Sequence, residues 1–174
     1  MAMVKGLLEN FIATTDGRPG KPTPAENWLL TVRLDGSDYR GRTGSPIVLA
    51  VLETALRTRR TWGIELDLSD ASAPVTPTIE RVRVVDDRPT ICTGGDIVDL
   101  PNGERVRPLT PTAFADEDPV KWGFFFNLPG TGKCHEYKGT SLDAYATVQG
   151  AWLDHGTVAL TFDSSGLITA AQRT

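Results

Sequence analysis

One stretch constrains this chain more than any other. Ser45–Asp67 reads SPIVLAVLETALRTRRTWGIELD, an apolar helical period that gives way to strict alternation. Ser45 and Pro46 suit the N-cap and the first helical position, where the missing N–H of proline is no loss. Val48, Leu49, Val51, Leu52, Ala55 and Leu56 recur at helical spacing and form one broad apolar face. Arg57, Arg59 and Arg60 crowd the last turn, where positive charge complements the helix dipole. From Trp62 the period becomes two. Trp62, Ile64, Leu66 and Leu68 alternate with Gly63, Glu65, Asp67 and Ser69, the pattern of a strand with one buried face. A short helix therefore feeds directly into a strand.

Ser141–Asp163 repeats this plan. Ala50, Ala55, Thr61 and Asp67 fall opposite Ala146, Ala151, Thr157 and Asp163 in an ungapped alignment. The flanks agree. Trp28–Leu34 precedes an Asp-Gly turn and then Tyr39-Arg-Gly, while Trp122–Leu128 precedes Pro-Gly-Thr-Gly and then Tyr137-Lys-Gly. The chain reads as a duplication, with a first unit over 1–87, a linker over 88–95 and a second unit over 96–174.

Within the first unit, strands are expected at Val4–Thr15 (bent near Glu9-Asn10), Trp28–Leu34, Tyr39–Arg42, Trp62–Leu68 and Ile79–Val85. In the second, Ile97–Leu100 and Glu104–Arg107 read as a hairpin about Asn102-Gly103. Pro108–Asp118 reads as a long polar loop, and strands follow at Trp122–Leu128, Cys134–Lys138, Thr157–Asp163 and Leu167–Ala170. The class is mainly β with two short helices. Three strands, a helix and two strands is the order of the OB-fold, a five-stranded Greek-key barrel, so two OB-like barrels in tandem are expected. Over residues 47–68 the element order also resembles the B subunits of AB5-type toxins. That resemblance implies ring-forming barrels that bind cell-surface glycans.

A formal net charge of −4 argues against general nucleic-acid binding, which favours a basic footprint. The N-terminus lacks the apolar core and cleavage site of a signal peptide, and Ile47–Leu52 is too short to span a bilayer. A soluble protein made in the cytoplasm is expected, with a virion or other released particle as its destination. Cys92 and Cys134 are the two cysteines. They read first as reduced, partly buried thiols, with a single disulfide as the other reading.

No catalytic, cofactor or metal signature stands out. Gly130-Thr131-Gly132-Lys133-Cys134 departs from the phosphate-loop pattern at Asn127 and Cys134 and joins two strands rather than leading into a helix. Cys134 and His135 point to opposite faces of a strand, and His155 sits in a turn, so neither a metal site nor a catalytic base is indicated. Asp86-Asp87 and Asp116-Glu117-Asp118 read as solvated loop charge, with paired carboxylate catalysis as the enzymatic alternative.

OB-folds bind ligands on the face of strands two and three. That face collects Arg18, Lys21, Arg33, Tyr39, Arg40 and Arg42 in the first unit, and Tyr137 and Lys138 in the second. Trp28 and Trp122 read as core. Phe124, Phe125 and Phe126 cannot all hide on one face of a strand, which points to a protein interface. The functional expectation is a non-enzymatic binding or assembly protein without cofactors. Its partners would be copies of itself or other subunits, in a phage particle or injection machine. A module for glycan or single-stranded nucleic acid is the alternative.

Overall fold

The structure is a computed structural model that describes residues 2–15, 28–58, 62–70, 72, 75–85, 97, 99–114 and 120–174. The chain divides into two compact units. One comprises Met1–Asp87 with Thr112–Asp116, the other Arg88–Pro111 with Glu117–Thr174. The expected linker falls wholly outside the described residues. No helix among the described residues is long and apolar enough to cross a membrane.

The first unit contains β1 (Ala2–Thr15), β2 (Trp28–Leu34), β3 (Ser37–Thr43), α1 (Pro46–Arg57), β4 (Gly63–Leu68) and β5 (Ile79–Val85). The strands hydrogen-bond in the order β3-β2-β1-β4-β5. β1 is long enough to serve two partners, because its register shifts between Leu8 and Asn10. Its first half pairs with β4 and its second half with β2. Such a bulge bends a strand sharply, which lets one strand turn the corner between two parts of a sheet. The ends of the sheet meet where Arg42 and Thr78 form a parallel bridge, and the Arg42 N–H donates to the Pro77 carbonyl at 2.8 Å.

Alternation sets the core. Leu30, Val32 and Leu34 of β2, Ile64, Leu66 and Leu68 of β4, and Val82 and Val84 of β5 are buried together with the inner face of α1, Ile47, Val48, Val51, Leu52 and Ala55. Each fully buried aliphatic chain contributes about 1.5–3 kcal/mol. Ser45 takes the N-cap position in extended conformation but makes no side-chain cap; its N–H is instead accepted by the Thr43 hydroxyl at 3.1 Å.

The second unit holds most of β6 (Arg105–Phe114), then β7 (Trp122–Asn127), β8 (Cys134–Gly139), α2 (Leu142–Leu153), β9 (Val158–Phe162) and β10 (Ile168–Arg173). It is a closed five-stranded barrel. β6 neighbours β7, β7 pairs with β8, β8 meets β10 in parallel, β10 pairs with β9, and β9 returns to β6. Ser141 caps α2 by accepting from the Ala144 N–H at 3.2 Å.

β6 corrects two expectations. Among the described residues of 97–100 there is no strand, so no hairpin about Asn102-Gly103 is present among them. The Pro-containing segment after Arg107 is not a loop but the body of a ten-residue strand. Pro108 and Pro111 lie after the β9 ladder, at Arg105 and Val106, and before the β5 ladder, at Thr112–Phe114, so neither removes a donor from those two ladders. A missing N–H is cheapest outside such ladders. The Asn102-Gly103 turn is real, with Gly103 at φ +84, but it is fastened to β9: the Gly103 N–H donates to the Leu160 carbonyl at 3.0 Å.

Phe124 and Phe126 are fully buried inside the barrel, with Trp122, Tyr145 and Trp152 around them. Phe125 alternates to the other side and is half-buried. The expectation of two reduced thiols is also corrected. Cys134 is disulfide-bonded, no described cysteine is free, and Cys92 is the only other cysteine in the sequence.

A candidate binding cleft at Tyr137 and Phe162

The aromatic interior of the second unit does not stop at the core. Trp152 meets Phe124, Phe124 meets Phe126, and Phe126 meets Tyr137 at a ring separation of 6.1 Å. Tyr137 then meets Phe162 at 5.0 Å and His135 at 4.8 Å. The β7–β8 register explains this column: Phe124 lies opposite Tyr137 and Phe126 opposite His135, so these side chains share one face. The core emerges at Tyr137 and Phe162, which form the apolar wall of an open cleft of about 420 Å³. Asp99, Leu100, Asn102, Asp163, Ser164 and Gly166 complete its lining.

The polar rim is held by local chemistry. Asp163 follows β9 and ties the turn to β10. Its Oδ1 accepts from the Ser165 N–H at 2.9 Å, the Ser165 hydroxyl at 2.7 Å and the Leu167 N–H at 3.0 Å. The Ser165 hydroxyl first, then the Leu167 amide, hold this carboxyl below the usual carboxylate range. Gly166 takes φ +82, a conformation with little cost for glycine alone. Across the cleft the Asn102 Oδ1 accepts from the Phe162 N–H at 2.9 Å, which fixes Phe162 against the preceding segment. The Tyr137 hydroxyl donates to the Ile97 carbonyl at 3.1 Å. Burial pushes the Tyr137 phenol above its ordinary value; hydrogen bonding from the Leu100 backbone opposes this and the nearby Asp99 charge adds to it. Tyr137 is therefore a neutral phenol throughout the physiological range. Among the described residues, none that lines the cleft is basic.

The expected site residues separate. Tyr137 lines the cleft. Lys138 follows it in the strand and faces the other side, opposite Gly123. In the first unit, Arg33, Arg40 and Arg42 share the outer face of β2 and β3, since Thr31 pairs with Arg40, Leu29 with Arg42, and Arg33 with Asp38. Arg33 is neutralised by Glu9 at 3.0 Å and Asp38 at 3.4 Å. Tyr39 lies opposite Val32 on the inner face, away from the arginines. Arg18 and Lys21 lie outside the described residues, as do Asp86-Asp87 and Asp116-Glu117-Asp118. Among the described residues, no group of three His, Cys, Asp or Glu side chains is placed to hold a metal ion.

Phe162, Asp99, Asn102 and Asp163 were not singled out by the sequence as site residues. The signal available was Phe162-Asp163-Ser164-Ser165-Gly166, an aromatic residue leading into an Asx-type turn. Comparisons with protein-family models, curated proteins and solved structures find no match.

Proposed function

We propose that this chain is a non-enzymatic binding and assembly protein made of two OB-type barrels, and that the Tyr137–Phe162 cleft recognises an uncharged, polyhydroxylated ligand, a glycan. The barrel type is supported by strand order. In the first unit the third strand, β3, makes a parallel bridge to Thr78, the residue before the fifth strand, and in the second unit β8 bridges β10 in the same sense. The glycines support duplication. A Cβ on Gly41 would meet the Ile79 side chain at 2.5 Å, and one on Gly139 would meet Trp122 at 2.4 Å. Each unit thus needs a glycine after its Tyr-Arg or Tyr-Lys pair, where a large core side chain crosses the third strand.

The observation that carries the glycan reading is the pairing of an aromatic wall with a rim of hydrogen-bonding groups that, among the described residues, contains no cation. Sugar rings pack their C–H faces on aromatic rings, and carboxylates, carboxamides and hydroxyls bind sugar hydroxyls. The mouths of β-barrels are common places for such sites. Two carboxylates and no basic group oppose a phosphate backbone.

A glycan array followed by calorimetry tests this reading. Phe162→Ala should weaken binding about fivefold or more, since one aromatic contact is worth about 1 kcal/mol or more. An array without a binder, or a Phe162→Ala protein with unchanged affinity, would remove the assignment. A second reading, single-stranded nucleic acid on the first unit, is favoured by the Arg40–Arg42 row. Loss of oligonucleotide binding in Arg40→Ala with glycan binding absent would favour it.

A further inference from the structure

Asn102-Gly103 is a chemically labile pair as well as a turn. The asparagines of the chain are Asn10, Asn27, Asn102 and Asn127, and they precede Phe11, Trp28, Gly103 and Leu128. A backbone nitrogen attacks the side-chain carbonyl of the preceding asparagine most readily when it belongs to glycine, because no Cβ obstructs the approach. Asn102 and Gly103 are both exposed, so water reaches them. Gly103 takes φ +84, and among the described residues a Cβ built there would meet nothing within 4 Å, so the space around this peptide unit is open.

We infer that Asn102 is a site of spontaneous deamidation, that the native fold holds the reaction back through β9, and that its product disrupts this side of the Tyr137–Phe162 cleft. In the reaction the Gly103 nitrogen gives its proton to solvent and bonds to the Asn102 Cγ. The Cγ–Nδ2 bond breaks, and Nδ2 leaves as ammonia with a proton from water. A five-membered imide remains. Water opens it at either carbonyl, which gives aspartate or isoaspartate. One water is consumed and one ammonia released, with no oxidant or reductant.

Two hydrogen bonds oppose the first step. The Gly103 N–H donates to the Leu160 carbonyl at 3.0 Å, and the Asn102 Oδ1 accepts from the Phe162 N–H at 2.9 Å. The nucleophile and the carbonyl it must attack are each fastened to β9. A hydrogen bond of ordinary net strength holds back opening about fivefold, and two together roughly thirtyfold. The Phe162 N–H would also stabilise charge developing on Oδ1. Water supplies the same donation in an open chain, so the clamp decides the rate. Either product adds a third carboxylate to a lining that already holds Asp99 and Asp163. Isoaspartate also puts one more carbon into the main chain before Gly103, which displaces its N–H from Leu160 and frees Phe162.

This modification regulates the cleft of the proposed function, and only its consequence for binding rests on that reading. The test needs no ligand. The full chain is held at mildly alkaline pH with and without urea, and the peptide around Asn102 is followed by mass. Deamidation with isoaspartate should appear there before it appears at the other asparagines, at least about tenfold faster in urea. Asn102→Gln, which would have to close a six-membered ring, should abolish that species. In the isolated deamidated chain the Phe162 amide should exchange with solvent faster than in fresh protein. Equal rates with and without urea would overturn the clamp. Deamidation led by Asn10, Asn27 or Asn127 would overturn the site, and an unaltered Phe162 amide would overturn the effect on the cleft. A glycan array without a binder would remove the proposed function and leave this site standing.

Discussion

Tyr145 buries its ring between Trp122 and Phe124, at centroid distances of 5.6 and 6.0 Å, and its hydroxyl finds no hydrogen-bond partner. Burial drives its phenol far above the ordinary value. The ring stabilises the barrel while the unpaired hydroxyl opposes it, because a buried donor without a partner costs about 1–3 kcal/mol. Tyr145→Phe should therefore raise stability by about 1 kcal/mol, or a few degrees in Tm. A lower denaturation midpoint would show that the hydroxyl has a partner. Asp163 works in the opposite sense. Its folded pKa is depressed by the Ser165 and Leu167 hydrogen bonds. Its contribution is present above the unfolded carboxylate value, near about 4, and is lost as pH falls through the lower folded value. An NMR acid titration should show the Ser165 and Leu167 amides shifting together, with a midpoint below that of a free carboxylate. A midpoint at or above it would contradict the turn geometry. Neither effect was legible in the sequence, since both depend on which neighbours the fold supplies.

The elements were legible wherever periodicity was strong. Trp28–Leu34 is β2 as expected, α2 follows its Ser141 cap, and the bend anticipated near Glu9-Asn10 is the β1 register shift. β6 was hidden because prolines and threonines imitate a loop, and nothing local shows that its two ends pair with β9 and β5. The Phe124–Phe126 run looked like an interface because an amino-acid string does not show that Tyr145 and Trp152 of α2 will meet Phe124. The cleft was half-visible: Tyr137 was chosen, but its partners come from the β9–β10 turn and the segment before β6. Element packing also makes a sharp prediction at β8. Trp122 is fully buried and its indole N–H is fixed to the Ser141 carbonyl at 2.9 Å, so it cannot retreat from a new methyl group on Gly139. Gly139→Ala should cost about 1–3 kcal/mol, the usual range for overpacking, and an unchanged melting point would show that the ring has room to move.

At the scale of the whole molecule, the unit boundary does not follow the chain. Thr112–Asp116 cluster with Met1–Asp87, although they follow Arg88–Pro111 in sequence. The composition of Asp86–Gly95 marks a linker but carries no trace of this return, because strand pairing across such a span leaves no local signal. The return has an energetic reason. Without Thr112–Phe114, the edge of β5 at Arg81–Arg83 would offer unpaired backbone groups. A fragment of residues 1–87 lacks that cover, whereas the full chain supplies it. Amides of Arg81–Arg83 should accordingly exchange with solvent much faster in the fragment, and the fragment should associate at concentrations where the full-length first unit stays protected. Adding a peptide of residues 108–116 should slow the exchange and suppress association. Equal protection in the fragment alone would mean that the first unit closes its sheet without β6.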